Sequence, residues 1–158
     1  MFDRPIAPVL AALAVAGLAV SALADPLTLP ASFRSWTHVK SVVAYDQTDA
    51  FYGFRNVYAN DAAIGPLRHG GPYPDGAALV MSFHEPVAKD GHYVEGKAMK
   101  YVVMVRSAAA KKTDGWRYEA FAAGDPTPLV GDAAYEKCHA CHVAGAKDRG
   151  FVFSRYVD

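Results

Sequence analysis

Ala77-Ala78-Leu79-Val80-Met81-Ser82-Phe83-His84-Glu85 is the stretch on which the fold turns. Leu79, Met81 and Phe83 fall on one side and Ala78, Val80 and Ser82 on the other, the two-residue period of a strand. In front of it, Tyr73-Pro74-Asp75-Gly76 joins a preset proline φ to a glycine free to take positive φ, the chemistry of a turn. Pro86 behind it reads as the strand's stop.

Working outward, Phe51 to Tyr58 is rich in aromatic and β-branched residues and reads as an earlier strand. Ala98 to Arg106 and Trp116 to Ala122 read as two later ones, parted by the polar turn around Thr113-Asp114-Gly115. Lys89 to Gly96 reads as a loop. Asn60-Asp61 starts a short helical piece ending near Gly65-Pro66. Phe33, Trp36, Val39 and Val43 recur every three to four residues behind Ser32, which predicts an amphipathic first helix capped by that serine. Four strands without long helical crossovers predict a mainly β (α+β) fold: an antiparallel sheet with an N-terminal helix and a C-terminal helix that Asp132 caps.

That C-terminal helix carries Cys138-His139-Ala140-Cys141-His142, and the chain has only these 2 cysteines. In a C-x-x-C-H run each thiol can add across a haem vinyl group, and the adjoining histidine turns its imidazole onto the iron. The motif therefore predicts one covalent haem c held by Cys138 and Cys141, with His142 as the metal ligand. A redox dithiol belongs after the first strand of a β-α-β pattern, which is absent here. A structural zinc needs a second ligand pair, and none stands at finger-like spacing. A disulfide between Cys138 and Cys141 would close too small a loop to add much stability.

Compartment is read from residues 1–24: Arg4, an apolar run from Val9 to Val20, and Ala22-Leu23-Ala24 as a small-x-small cleavage site. The run is shorter than the ~20 residues of a membrane span. The expectation is a cleaved signal peptide and a single exported domain at residues 25–158, soluble in the periplasm and not held by a membrane. Lys+Arg and Asp+Glu balance at 16 each, so no net field draws the chain to nucleic acid.

Arg55-Asn56-Val57-Tyr58-Ala59-Asn60, the Tyr73 to Gly76 turn, Val103-Met104-Val105-Arg106, Trp116-Arg117-Tyr118 and the haem motif followed by Phe151-Val152-Phe153 come in an order that resembles the cytochrome P-460 family, which includes the cytochromes c-prime-beta. The resemblance runs from about Phe33 to the C-terminus. It implies a mostly antiparallel β fold, a homodimer, and a five-coordinate haem whose only protein ligand is the motif histidine. In cytochromes P-460 a lysine on the strand after the Pro-Asp-Gly turn is cross-linked to the haem, and those members oxidise hydroxylamine. In c-prime-beta members the link is missing and phenylalanines cap the distal pocket.

Here no lysine lies between Ser41 and Ala88, and Met81 and Phe83 stand where it is expected. The closer likeness is thus to the c-prime-beta type, with Phe54 and Phe83 as cap residues, Met81 beside them, and nitric oxide or carbon monoxide as ligands. Lys97 and Lys100, near the next strand, leave a displaced cross-link open, and with it an oxidase of hydroxylamine or NO. Met81, Met99 or Met104 as a sixth ligand would instead make an electron-transfer cytochrome with a periplasmic partner, although methionine on a strand more often fills core. His38, His69, His84 and His92 could likewise ligate iron or bind a metal, although none stands at helical His-x-x-x-His spacing and most read as loop or surface residues; His139 reads as pointing away from the iron.

Overall fold

The computed structural model describes residues 25–156, and the expected signal peptide at residues 1–24 lies outside them. Among the described residues no helix is long and apolar enough to cross a membrane. Strands β1 (Thr37–Ala44), β2 (Gly53–Ala59), β3 (Ala78–Lys89), β4 (His92–Arg106) and β5 (Trp116–Ala122) form one antiparallel sheet in chain order. Helix α1 (Asp61–His69) connects β2 to β3. A π-helical turn at Tyr135–His139 runs directly into α2 (Ala140–Ala146).

The sheet has five strands because the expected first helix is a strand. Phe33–Ser35 makes a single 3-10 turn in which Ser32 forms no side-chain cap, and Trp36 is already extended. Thr37, Val39, Val42 and Val43 are β-branched residues that lose rotamer freedom in a helix and fit a pleated surface. A bulge between His38 and Lys40 leaves Val39 as the extra residue, and it is buried in the core.

Two further boundaries differ from the sequence reading. Pro86 does not end β3, which continues to Lys89. Pairing with β2 stops at His84, so beyond it β3 has an open edge where a missing N–H costs no ladder bond. The residues read as a loop are a hairpin: Asp90 (φ 50°) and Gly91 (φ 79°) form a two-residue turn, with Lys89 opposite His92. Helix α1 likewise passes Pro66 and ends at Gly70, its last turn docked by buried Leu67.

Pairing sorts side chains onto two faces, since residues opposite one another share a face. One face carries Phe54, Tyr58, Val80 and Val103, covered by Phe33 and the N-terminal segment at Leu27 and Leu29. The other carries Val57, Leu79, Met81, Met104 and Tyr118, against which α1 and the C-terminal Val152 pack. Trp116 and Phe83 are each 1 % exposed, and burying a side chain of this class stabilises by about 1.5–3 kcal/mol. Trp116 Nε1 also donates to the Gly150 carbonyl at 3.0 Å, tying the end of the α2 region to the sheet.

Candidate haem site

Cys138, Cys141 and His142 stand at i, i+3 and i+4 where the π turn passes into α2, a spacing that sets them on one side of the helix. All three line a cavity of about 310 Å³ between this helix and the sheet. The sheet side of the cavity is apolar, formed by Val57, Leu79, Met81, Phe83, Val102 and Met104. Both cysteines are free thiols, Cys141 exposed and Cys138 partly buried. Burial pushes the Cys138 thiol above its ordinary range, and the charge of Glu119 adds to the shift.

His142 is the most constrained of the three. Its Nδ1 lies 2.6 Å from the Phe151 carbonyl, which can only accept, so Nδ1 carries the proton and the Nε2 lone pair is left for a metal. The carbonyl is aimed by two consecutive left-handed residues, Gly150 (φ 63°) and Phe151 (φ 68°), with Phe151 N–H donating back to Ala146 at 2.8 Å. Positive φ at a bulky residue is a strained conformation of the kind held at functional sites. Tyr118 and Phe153 wall the ring, each with its centre 5.0 Å away. Burial pushes the His142 imidazole below its ordinary range and His139 adds to this, while the bond to Phe151 opposes it, so the ring is kept in the neutral form a metal requires.

The arrangement fits a haem: two thiols and an imidazole whose Nε2 is free for a metal border one largely apolar cavity. A zinc site would need three or four clustered donors, and no group of three His, Cys, Asp or Glu able to hold a metal occurs among the described residues.

Comparison with known families agrees with that geometry. The family model described as cytochrome P460 matches residues 30–154. The chain belongs to the cytochrome P460 family. Membership makes this a haem protein. No curated protein matches the chain.

Against the cytochrome P460 background, the sheet register separates residues that the sequence had grouped. Phe83 and Met81 line the cavity, but Phe54 pairs with His84 on the opposite face and does not. Phe51, just before β2, lines the cavity in its place. Leu79, Met81 and Phe83 form an apolar strand face, and on the neighbouring strand Lys100 is opposite Phe83, lines the cavity, and sets its ammonium 4.4 Å from the Phe83 ring centre. Lys97 is exposed. Met81 and Met104 line the cavity, whereas Met99 packs at Gly53.

The histidines are also corrected in part. His84 is neither in a loop nor at the surface: it is 8 % exposed, with Nδ1 3.3 Å from the Gly96 carbonyl, on the face away from the cavity. His38, His69 and His92 are exposed.

Three contributors escaped the sequence reading. Tyr118 was visible in principle, because it alternates with Trp116 and Ala120 on β5. Phe153 reaches His142 only through the turn at Gly150 and Phe151, which has no local signature. Buried Glu119 holds the approach to the motif, accepting from the backbone N–H of Ala120, Leu129, Val130 and Gly131 at 2.7–3.1 Å. A carboxylate satisfied by four backbone donors is a rigid anchor, and it fixes the segment that leads into Tyr135–His139.

Proposed function

We propose that this is an exported, mono-haem c-type cytochrome in which Cys138 and Cys141 hold the haem covalently. His142 is the iron's only protein ligand in this reading, and the open coordination position takes nitric oxide or a similar small gas. The observation that carries it is one largely apolar cavity bordered by the two cysteines, His142, Met81 and Phe83. Apart from Lys100, the wall that β2, β3 and β4 present to the cavity is apolar; such a wall withholds hydrogen-bond donors and disfavours charged or proton-coupled chemistry, which leaves uncharged diatomics as the ligands accommodated best. Periplasmic location and pairing of two copies belong to the same proposal.

The test is stopped-flow mixing of the ferrous protein with NO and CO, beside a hydroxylamine oxidation assay. Rapid NO binding without hydroxylamine turnover is expected. No NO binding, or clear turnover, overturns the assignment.

A second reading is favoured by Lys100, whose amine enters the cavity next to Phe83. A lysine bonded to the haem there would make the protein an oxidase of hydroxylamine or NO. Mass spectrometry of the digested holoprotein separates the two: the haem peptide contains the motif alone in the first reading, and the motif joined to the Lys100 peptide in the second. Met81 or Met104 as a sixth ligand, the electron-transfer alternative, would show as a sharp low-spin spectrum.

A further inference from the structure

His139, inside the motif but outside its thiol and ligand positions, is 0 % exposed. A fully buried imidazole needs partners for both nitrogens, and it has them. Nε2 is 2.8 Å from Asp114 Oδ2, and Nδ1 is 3.0 Å from the Tyr118 hydroxyl. The Asp114 carboxylate only accepts, so Nε2–H donates to it and Nδ1 receives the Tyr118 O–H. The ring also packs against Phe151, with centres 5.1 Å apart.

Two of these neighbours are the groups that hold His142. The Tyr118 ring lies against the His142 imidazole with centres 5.0 Å apart, and the Phe151 carbonyl takes its Nδ1 proton at 2.6 Å. Asp114 fixes the assembly from outside: it sits in the left-handed region (φ 49°) at the turn before β5, and Arg106 donates to its carbonyl at 2.7 Å.

We propose that His139 is a positioning residue for the axial imidazole. By anchoring the Tyr118 ring and packing on Phe151, it sets both the plane of His142 and the strength of the Nδ1–H bond to Phe151. That bond determines how basic Nε2 is, so the strength of the iron–histidine bond and the reduction potential answer to a residue that touches neither iron nor ligand. The inference rests on His142 being the iron ligand.

The experiment compares full-length ferrous holoprotein with His139→Leu, His139→Asn, Tyr118→Phe and Asp114→Asn. It reads the iron–imidazole stretch by resonance Raman and the reduction potential by titration, with thermal melts as the control for folding. His139→Leu removes both hydrogen bonds: the stretch should move to lower frequency and the potential should rise. His139→Asn, which can still accept from Tyr118, should restore part of each shift. Tyr118→Phe keeps the ring but loses the anchor and should shift both in the same direction as His139→Leu; it decides the matter if His139→Leu does not fold. Asp114→Asn keeps an oxygen acceptor and should leave both readouts near wild type.

A wild-type stretch that stays in place in His139→Leu or in Tyr118→Phe overturns the proposal alone. If the wild type has no iron–imidazole band, or the band survives His142→Ala, the ligand reading falls and takes the proposal with it.

Discussion

Gly145 lies directly under the Phe153 ring: a Cβ at that glycine would fall 2.6 Å from Phe153 Cε1 and 2.8 Å from Cζ. Phe153 in turn meets His142 edge-on, with ring centres 5.0 Å apart. Alanine in a helix interior is normally preferred over glycine by up to about 1 kcal/mol, whereas overpacking costs about 1–3 kcal/mol. Gly145→Ala should therefore lose stability, and displace Phe153 from the His142 imidazole. Urea denaturation checks the first and the haem absorption spectrum the second; a stabilised variant with an unchanged spectrum would contradict this account.

Glu119 offers a second effect on stability. Its carboxylate accepts from four backbone N–H groups ahead of the motif; without it Leu129 keeps its bond to the Ala120 carbonyl at 3.0 Å, and the buried Val130 N–H loses its partner. Leaving a buried donor unmade costs about 1–3 kcal/mol, so Glu119→Ala should lose at least ~1 kcal/mol. Glu119→Gln, which keeps one acceptor oxygen, should lose less. Equal losses in chemical denaturation would show that packing, rather than the hydrogen bonds, sets the cost.

Phe83 is 1 % exposed and forms part of the cavity wall. Phe83→Ala should cost about 3–5 kcal/mol, as truncation of a core phenylalanine does, and should speed CO and NO association by enlarging the cavity. Stopped-flow traces indistinguishable from wild type would remove Phe83 from the ligand path.

The proposed covalent attachment makes separate demands on three residues. Acid–acetone treatment should leave the colour with the wild-type protein. Cys138→Ser and Cys141→Ser should each leave a single thioether, detectable by the mass of the haem peptide. His142→Ala should keep both thioethers and lose the native iron spectrum. Haem released from the wild type into solvent would refute the c-type assignment.

Stability should fall on the alkaline side. Burial raises the Tyr73 hydroxyl to about 12, and it raises that of Tyr118 as well, whereas an unfolded tyrosine titrates near ~10. Above that value the unfolded chain releases protons that the folded chain still holds, so the unfolding free energy decreases as pH rises. The contribution is complete below pH ~10 and is lost as pH climbs towards the folded-state value. Tyr73→Phe should flatten the decline in melting temperature between pH ~9.5 and 11.5; a parallel decline in both proteins would rule Tyr73 out.

The sequence was legible where one local pattern decided the outcome. β5 was read as Trp116 to Ala122 and is found at those residues, and Cys138, Cys141 and His142 do border one cavity. It misled where two patterns coincide: Phe33, Trp36, Val39 and Val43 satisfy a helical spacing, but a bulge after His38 and pairing to β2 decide their structure. The wall of the site was half legible for a related reason. Phe54 and Phe83 both lie on strands, yet the register of β2 on β3 puts them on opposite faces, and the same register brings Lys100 in beside Phe83. No single-strand pattern holds that information. The surroundings of His139 were likewise invisible, because its partners come from positions 114 and 118.

Because each strand pairs only with its neighbour in the chain, contact order within the sheet is low for a β protein, and every connection except the α1-containing one between β2 and β3 closes a short loop at small entropic cost. The two-residue turn at Asp90 and Gly91 supplies a local starting point from which pairing can zip in both directions. Every strand also precedes the motif, so the sheet side of the cavity is complete in the chain before Cys138, while Val152 and Phe153 follow it. The sheet can thus act as a template on which the thiol-bearing helix docks last.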